Sequence, residues 1–297
     1  VRWMVTGGGG RLGHHVTGAL TRESERGGDQ VAVLDRAALD ITEPDALRAV
    51  FAAHRPEVVL NCAAYTAVDG AETDWARALR VNAEGPRRLA EACAAHGARL
   101  VHVSTNAVFP GDARTPYDED HPPAPGTAYG RSKLAGEEAV LARLPGTGVV
   151  ARTAWLYGRR GRSFVSTMIE RAAAGEAVDV VDDQYGQPSW AGDVAAQLIT
   201  LGRCPRAHGV FHATNSGEAS WYELAREVFR LAGADAGLVR PISDAEYGRA
   251  ARLPAYTVLG HGRWREIGAD PPRDWRRALA GALEELLPLW AVPRGSA

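Results

Sequence analysis

Tyr129-Gly130-Arg131-Ser132-Lys133 sets a phenol and an ammonium four residues apart, a spacing that brings both to one face of a helix. A Tyr-x-x-x-Lys pair by itself is more often a solvated surface feature. Two observations lift this one. Lys133 is the only lysine among 297 residues, every other strong base being arginine, and Ser104-Thr105 closes an apolar run from which a hydroxyl can reach the same crevice. A phenol with an ordinary pKa of about 10 exchanges protons poorly near neutrality, and lowering it by about three units needs about 4 kcal/mol of preferential phenolate stabilisation. Lys133 and an oxidised nicotinamide both carry the positive charge for that. The expected chemistry is hydride transfer from a nicotinamide to a carbonyl carbon. Tyr129 gives the oxygen its proton, Thr105 holds that oxygen by a hydrogen bond, and Lys133 also grips the nicotinamide ribose.

Such a step needs a dinucleotide site. Thr6-Gly7-Gly8-Gly9-Gly10-Arg11-Leu12-Gly13 follows an apolar run and opens a helical pattern, with Gly7, Gly10 and Gly13 three residues apart. Glycine lets a backbone turn tightly and approach a diphosphate, and a helix N-terminus offers unpaired N–H groups to the anion. A glycine triplet alone is a weak signal, but at the first strand-to-helix turn of a βαβ chain it predicts dinucleotide binding. Leu34-Asp35-Arg36 ends the second apolar run. There Asp35 suits the ribose hydroxyls of NADH, whereas Arg36 and Arg11 suit the 2′-phosphate of NADPH, and the residues leave both cofactors open. Asp40-Ile41 and Asn61-Cys62-Ala63-Ala64-Tyr65-Thr66 fall at later strand or loop ends, on the edge along which a cofactor would run.

The elements that must carry these groups alternate in the manner of βαβ units. Strands are expected at 2–6, 30–34, 58–61, 100–104 and 148–153, and helices at 12–22, 44–54, 74–96 and 129–144, with Thr42 as a cap for the second helix. The fold class is α/β: a Rossmann-type doubly wound parallel sheet with a smaller C-terminal substrate-binding lobe. Residues 1–154 form the dinucleotide-binding domain and 155–297 mainly the substrate lobe, with a segment near 192–214 returning to the sheet. In the second half, helices are expected at 164–174, 192–201, 220–231 and 274–287 and a strand at 210–213.

Composition narrows the partners. With 34 basic and 36 acidic side chains the formal charge is −2, so no general positive field draws nucleic acid or an anionic membrane. Cys62, Cys93 and Cys204 are odd in number and widely spaced, which suits a reducing compartment and no structural zinc. No stretch of 18 apolar residues offers a membrane span, and the opening apolar run is too short for a signal-peptide core. A cytoplasmic protein acting on a small molecule is expected. Arg159, Arg160 and Arg162 suit a diphosphate but equally a solvated loop. Asp182-Asp183 lacks the further oxygens a metal needs, and His14-His15 lacks spaced partners, so no metal site is expected.

Together the stretches Gly7 to Gly13, Asp40-Ile41-Thr42, Asn61 to Asp69, Val81-Asn82, Val101 to Thr105, Tyr129 to Glu137, Arg152 to Gly158 and Val181 to Pro188 are far more specific than either short motif. Across almost its whole length the chain resembles the dTDP-4-dehydrorhamnose reductase family of nucleotide-sugar 4-ketoreductases, among the extended short-chain dehydrogenase/reductases. The resemblance implies Thr105, Tyr129 and Lys133 as the catalytic trio, with Gly10, Arg11, Leu12, Asp35, Asp40, Ile41, Ala63, Ala64 and Tyr65 around NADPH or NADH. It implies a dTDP-linked keto-deoxyhexose as substrate, with Trp155 beside the sugar, and admits a homodimer. One departure stands out. Members of the family usually follow the serine and threonine with an aspartate and a tyrosine bordering the sugar pocket, where this chain has Asn106 and Ala107. A roomier, less charged pocket is expected, with Asn106 at its wall and a 4-keto-6-deoxyhexose other than the rhamnose precursor as substrate. Ser163 stands where relatives commonly carry asparagine.

Two other functions compete. An epimerase with retained NAD could use the same trio to oxidise and re-reduce one hydroxyl, and would not consume added cofactor. A non-catalytic regulatory subunit could use the dinucleotide fold to bind a partner enzyme, although it has no use for the trio. A dehydratase is disfavoured, because Asn106 and Ala107 cannot titrate.

Overall fold

The computed structural model describes residues 1–248 and 254–291. Its first half runs β1 (Arg2–Thr6), α1 (Arg11–Gly27), β2 (Gln30–Leu34), α2 (Pro44–His54), β3 (Val58–Asn61), α3 (Val68–Thr73), α4 (Trp75–Leu79), a π turn (Arg80–Glu84), α5 (Gly85–His96), β4 (Arg99–Thr105), α6 (Ala128–Arg143) and β5 (Gly148–Thr153). The second half adds β6 (Leu156–Tyr157), α7 (Phe164–Ala174), β7 (Val178–Val181), β8 (Tyr185–Gly186), β9 (Ser189–Trp190), α8 (Ala191–Arg203), β10 (Gly209–His212), β11 (Ala219–Ser220) and α9 (Trp221–Leu231). It ends with β12 (Val239–Ile242), α10 (Asp244–Tyr247), α11 (Arg263–Glu266) and α12 (Trp275–Trp290).

Six parallel strands form the central sheet in the order β10-β5-β4-β3-β1-β2. The order of connection reverses between β1 and β3, the chain winding outward to β2 on one side and to β3, β4, β5 and β10 on the other, which opens a crevice beyond the strand ends where ligands of doubly wound sheets bind. Apolar faces of α1 and α8 cover one side of the sheet through Val16, Leu20, Val194 and Leu198. On the other side Phe51, Leu89, Cys93 and Val140 pack on Met4, Val59 and Leu100. Strands buried on both faces must read as continuous apolar runs, which is why they were legible. A second core of Ile169, Leu224, Phe229, Trp275 and Leu283 gathers α7, α9 and α12.

The sequence reading expected one helix over 74–96. The chain instead divides it into α4, the π turn and α5, with the Gly85 amide donating to the Arg80 carbonyl. Pro86 has no N–H for the carbonyl of Asn82, so a regular α-ladder cannot pass this point. Thr42 is not the cap of α2. Glu43 occupies that position, and Thr42 instead gives its amide (2.9 Å) and hydroxyl (2.7 Å) to the Asp40 carboxylate. Residues 249–253 and 292–297 of the expected lobe lie outside the described residues.

Candidate active site

The glycine loop is shaped by contacts that allow no side chain. Gly7 sits at φ +69, and a Cβ there would lie 2.6 Å from the Ala63 nitrogen. At Gly13 a Cβ would lie 2.3 Å from the Gly7 carbonyl, so α1 starts flush against the loop. The amides of Gly8 and Gly10 are fixed by the Leu34 and Gly7 carbonyls at 3.1 and 3.0 Å. Opposite, Asn61 holds the loop after β3 by accepting from the Thr6 hydroxyl (2.7 Å) and the Ala63 amide (3.1 Å).

Three cavities run end to end across the strand ends. The first, about 410 Å³, is bordered by Gly7, Asp35, Arg36, Asp40, Ile41, Ala63, Ala64 and Tyr65, with Arg77 and Val81 completing its wall. It shares Gly9, Gly10, Cys62 and Ala64 with a second of about 540 Å³, which reaches Arg11, Leu12, Gly13, Thr105, Tyr129 and Lys133. That one shares Thr105, Asn106, Tyr129 and Trp155 with a third of about 490 Å³. The expected cofactor residues therefore line one continuous cleft, and Thr105 and Tyr129 stand where it meets the third cavity.

Arg11 and Arg36, grouped in the sequence reading as partners of a 2′-phosphate, are separated. Arg36 borders the first cavity beside Asp35, while Arg11 faces the second. Lying at the start of α1, Arg11 gives its guanidinium to the carbonyls of Leu156, Arg160 and Arg162. Asp35 accepts from the amides of Ala37 and Ala38 through one oxygen, both at 3.0 Å. Of the three loop arginines only Arg160 borders the cleft; Arg159 pairs with Glu285 and Arg162 with Glu170. Asp182 accepts from Ser220 and Asp183 from the Asp244 amide, and no group of three metal-ligating side chains occurs among the described residues. Ser163 caps α7 by accepting from the Ser166 amide. His15 accepts from the Arg159 amide, and burial pushes its pKa down to about 4.

The trio converges because β4 ends at Thr105 and α6 lies against that end. Thr127 caps α6 through the Gly130 amide at 3.0 Å. Tyr129 and Thr105 are hydrogen-bonded through their side chains. Lys133 is 1% exposed and donates to the Val103 carbonyl at 2.7 Å. The sequence argument had Lys133 lowering the phenol's pKa. Burial instead raises it, with only the Thr105 hydrogen bond opposing, because the ammonium is directed along β4 toward Val103. A raised pKa keeps the phenol loaded with the proton that ketone reduction requires.

Burial pulls Lys133 down to about 8, while Glu137 and Cys62 favour its charged form. The folded protein therefore releases this proton at a lower pH than the unfolded chain. The burial penalty on the ammonium is complete below pH 8 and fades as pH rises toward the unfolded value of about 10.4. Its positive charge in the cleft fades over the same range. Affinity for NADPH, followed by its fluorescence, is expected to hold steady up to about pH 7.5 and to decline above about pH 8, with Lys133→Arg removing the decline. A flat profile to about pH 9.5 in the unaltered protein would remove Lys133 from the cofactor site.

Trp155 borders the second and third cavities but is not an open platform on both faces. Trp221 stacks on it with centroids 3.5 Å apart and planes 11° from parallel. Its φ of +42 is costly for a bulky residue, of order 1–3 kcal/mol, and such strain gathers at ligand sites. Asn106, expected at the pocket wall, is there, but its amide nitrogen is already donated to the Thr257 hydroxyl at 2.8 Å.

Several residues were given no role by the sequence reading, some of them within the stretches that carry the resemblance. Asn82 takes the Tyr65 amide (2.8 Å) and gives to the Tyr65 carbonyl and the Ser132 hydroxyl, both at 3.0 Å, tying the cofactor-side loop to α6. Beneath the trio, Glu137 receives Arg152 at 2.7 Å and the Ser104 hydroxyl. Gln184, Trp221 and Thr257 close the third cavity. A signal existed for Glu137, one helical turn beyond Lys133, whereas nothing local marks Thr257.

Comparison with known proteins agrees with this geometry. The family described as RmlD substrate binding domain matches residues 1–287. A Streptomyces antibioticus protein named probable dTDP-4,6-dihydroxy-2-methyloxan-3-one 4-ketoreductase is 58% identical over 97% of this chain and 96% of its own. A dTDP-4-dehydrorhamnose reductase of Streptomyces griseus is 50% identical over 96% and 94%. Among solved structures, dTDP-4-dehydrorhamnose reductase from Bacillus anthracis str. Ames in complex with NADP superposes with a TM-score of 0.90 at 37% identity, over 96% of this chain and 99% of that one.

Proposed function

The chain belongs to the RmlD substrate binding domain family, and from that premise we propose that it uses NADPH to reduce the C4 ketone of a dTDP-linked 4-keto-6-deoxyhexose to the alcohol. The observation that carries the reading is the placement of Thr105 and Tyr129 where the glycine-walled cleft meets the third cavity. The cradle fits a dinucleotide: Gly7 and Gly13 are sites where a Cβ would collide with backbone, and the first two cavities adjoin across Gly9, Gly10, Cys62 and Ala64. Bound in that cleft, the reduced nicotinamide supplies the hydride. Tyr129 would deliver its proton to the ketone oxygen, Thr105 would stabilise the charge that grows there, and Lys133, on the wall of the second cavity, would keep a positive charge in the cleft. In this reading residues 1–154 with 192–214 hold the cofactor, and the remainder of 155–297 holds the sugar nucleotide.

Arg36 is the residue for the 2′-phosphate, and the two amides on Asp35 screen a carboxylate that would otherwise repel it. Arg36→Ala should raise KM for NADPH about tenfold and leave KM for NADH nearly unchanged, as loss of one charge-assisted contact requires. Equal effects on both cofactors would place the 2′-phosphate elsewhere.

For the sugar itself we propose a 4-keto-6-deoxyhexose other than the rhamnose precursor. Ala107 leaves space beside the third cavity, and the name of the Streptomyces antibioticus relative describes a ring ketone with two hydroxyls, one fewer than a 4-keto-6-deoxyhexose carries. The test is incubation with a panel of dTDP-4-keto-6-deoxyhexoses, with and without the C2 hydroxyl, following NADPH oxidation and the product by NMR. Stoichiometric oxidation with formation of a C4 alcohol is expected. Isomerisation without cofactor consumption would make the protein an epimerase, and preference for the rhamnose precursor would overturn the substrate assignment. The names of the relatives do not favour the epimerase or scaffold readings. No described helix is long and apolar enough to cross a membrane. The reading places the enzyme in the cytoplasm with its soluble cofactor and substrate, and sedimentation would test a homodimer.

A further inference from the structure

The segment 254–260 runs over the third cavity and is hydrogen-bonded on both sides of it. The Tyr185 amide donates to Ala255 (2.7 Å) and the Thr257 amide to Tyr185 (2.9 Å), while the Tyr117 amide donates to Val258 (2.9 Å) and the Tyr256 amide to Gly111 (3.2 Å). From this strap a chain of side-chain hydrogen bonds leads to the catalytic hydroxyl, and its direction is fixed by the groups at its far end. The Thr257 hydroxyl gives its proton to the Tyr185 carbonyl at 3.3 Å, leaving lone pairs to accept. The Thr257 carbonyl, 3.5 Å from the same amide nitrogen of Asn106, is an acceptor only. The NH₂ of Asn106 must therefore face Thr257 and its oxygen must face Thr105, whose hydroxyl donates to it at 3.3 Å. With that proton so directed, a lone pair of Thr105 receives the Ala107 amide (3.1 Å), and Tyr129 borders the same two cavities beside it.

We infer that Asn106 is a positioning residue, whose amide oxygen, set by Thr257, orients the Thr105 hydroxyl and holds its proton in reserve for the phenolate that forms when Tyr129 gives up its own. The long bond to a neutral amide oxygen is weak, and a phenolate or alkoxide is the stronger acceptor. When Tyr129 gives its proton to the ketone oxygen, the Thr105 hydroxyl turns from Asn106 to the anion that forms. This interaction is stronger at the transition state than before it, and only such interactions speed the chemical step.

The inference rests on the proposed reduction, so the experiment has one arm that needs no substrate. Thr257→Val and Asn106→Ala should each lower kcat about tenfold with KM for NADPH unchanged, the size expected for one hydrogen bond. The double variant should be no slower than Asn106→Ala, and Thr257→Ser, which keeps the hydroxyl, should recover most of the loss. In protein carrying ¹³Cζ-tyrosine, the Tyr129 resonance, identified by its disappearance in Tyr129→Phe, should move in Thr257→Val and not in Thr257→Ser. Multiplying losses in the double variant, a Ser variant as slow as the Val variant, or an unmoved resonance would overturn the inference. If the unaltered protein reduces no keto sugar nucleotide, the proposed function fails and the resonance alone decides the relay.

Discussion

Replacing Tyr129 by Phe is expected to cut turnover by about a hundredfold or more while leaving NADPH binding intact, because the ring remains and only the proton donor is lost. The phenol has a side-chain hydrogen bond to Thr105 and borders both the cofactor cleft and the third cavity. Among the described residues that line the second and third cavities there is no carboxyl, imidazole or second phenol to replace it. Lys133 is turned to the Val103 carbonyl, and Asn106 and Ala107 do not titrate. The measurement is single-turnover oxidation of bound NADPH on mixing with a keto sugar nucleotide, beside a fluorescence titration of the cofactor. A variant that binds NADPH as before and turns over at the original rate would remove Tyr129 from the chemistry.

Glu137→Ala is expected to destabilise the fold by about 3–5 kcal/mol, the cost of stranding one member of a buried ion pair. The Glu137 and Arg152 side chains are 2% and 4% exposed, and Arg152 meets Glu137 at 2.7 Å from the neighbouring strand. Removing the carboxylate leaves a buried guanidinium whose three side-chain hydrogen bonds among the described residues all went to Glu137, with the Phe109 ring 4.9 Å away. Urea unfolding should show a lower midpoint with an unchanged slope. Replacing both residues by apolar side chains of similar volume should recover much of the loss, because the pair's own attraction barely exceeds its desolvation. A single variant within about 1 kcal/mol of the unaltered protein would contradict the assignment. Glu137 also favours the charged form of Lys133. In the Ala variant the loss of NADPH affinity should therefore begin at a lower pH than in the unaltered protein.

How legible the protein was depends on which interactions set each feature. The sheet strands could be placed to within a residue or two because each is an apolar run, largely buried in β1, β3, β4 and β5 and partly covered in the edge strand β2, a property written locally. The segment expected as one helix over 74–96 is helical from Trp75 to His96 but widens to a π turn ahead of Pro86, where the missing amide is a sequence signal that the apolar spacing masked. Arg11 and Arg36 looked interchangeable as cations, yet one opens α1 and the other follows β2, which sends them to different cavities.

The residue types proposed for the chemistry, their spacing on α6 and the glycine turn before α1 were determined by the sequence alone, since helix periodicity and backbone sterics act over a few neighbours. Tertiary structure decided the rest: the upward shift of the Tyr129 pKa, the turning of Lys133 toward Val103, and the hold of Thr257 on Asn106 across 151 positions of chain. Charge, solvation and hydrogen-bond direction depend on what surrounds a group from every side, and here most of those surroundings come from segments far away in the chain.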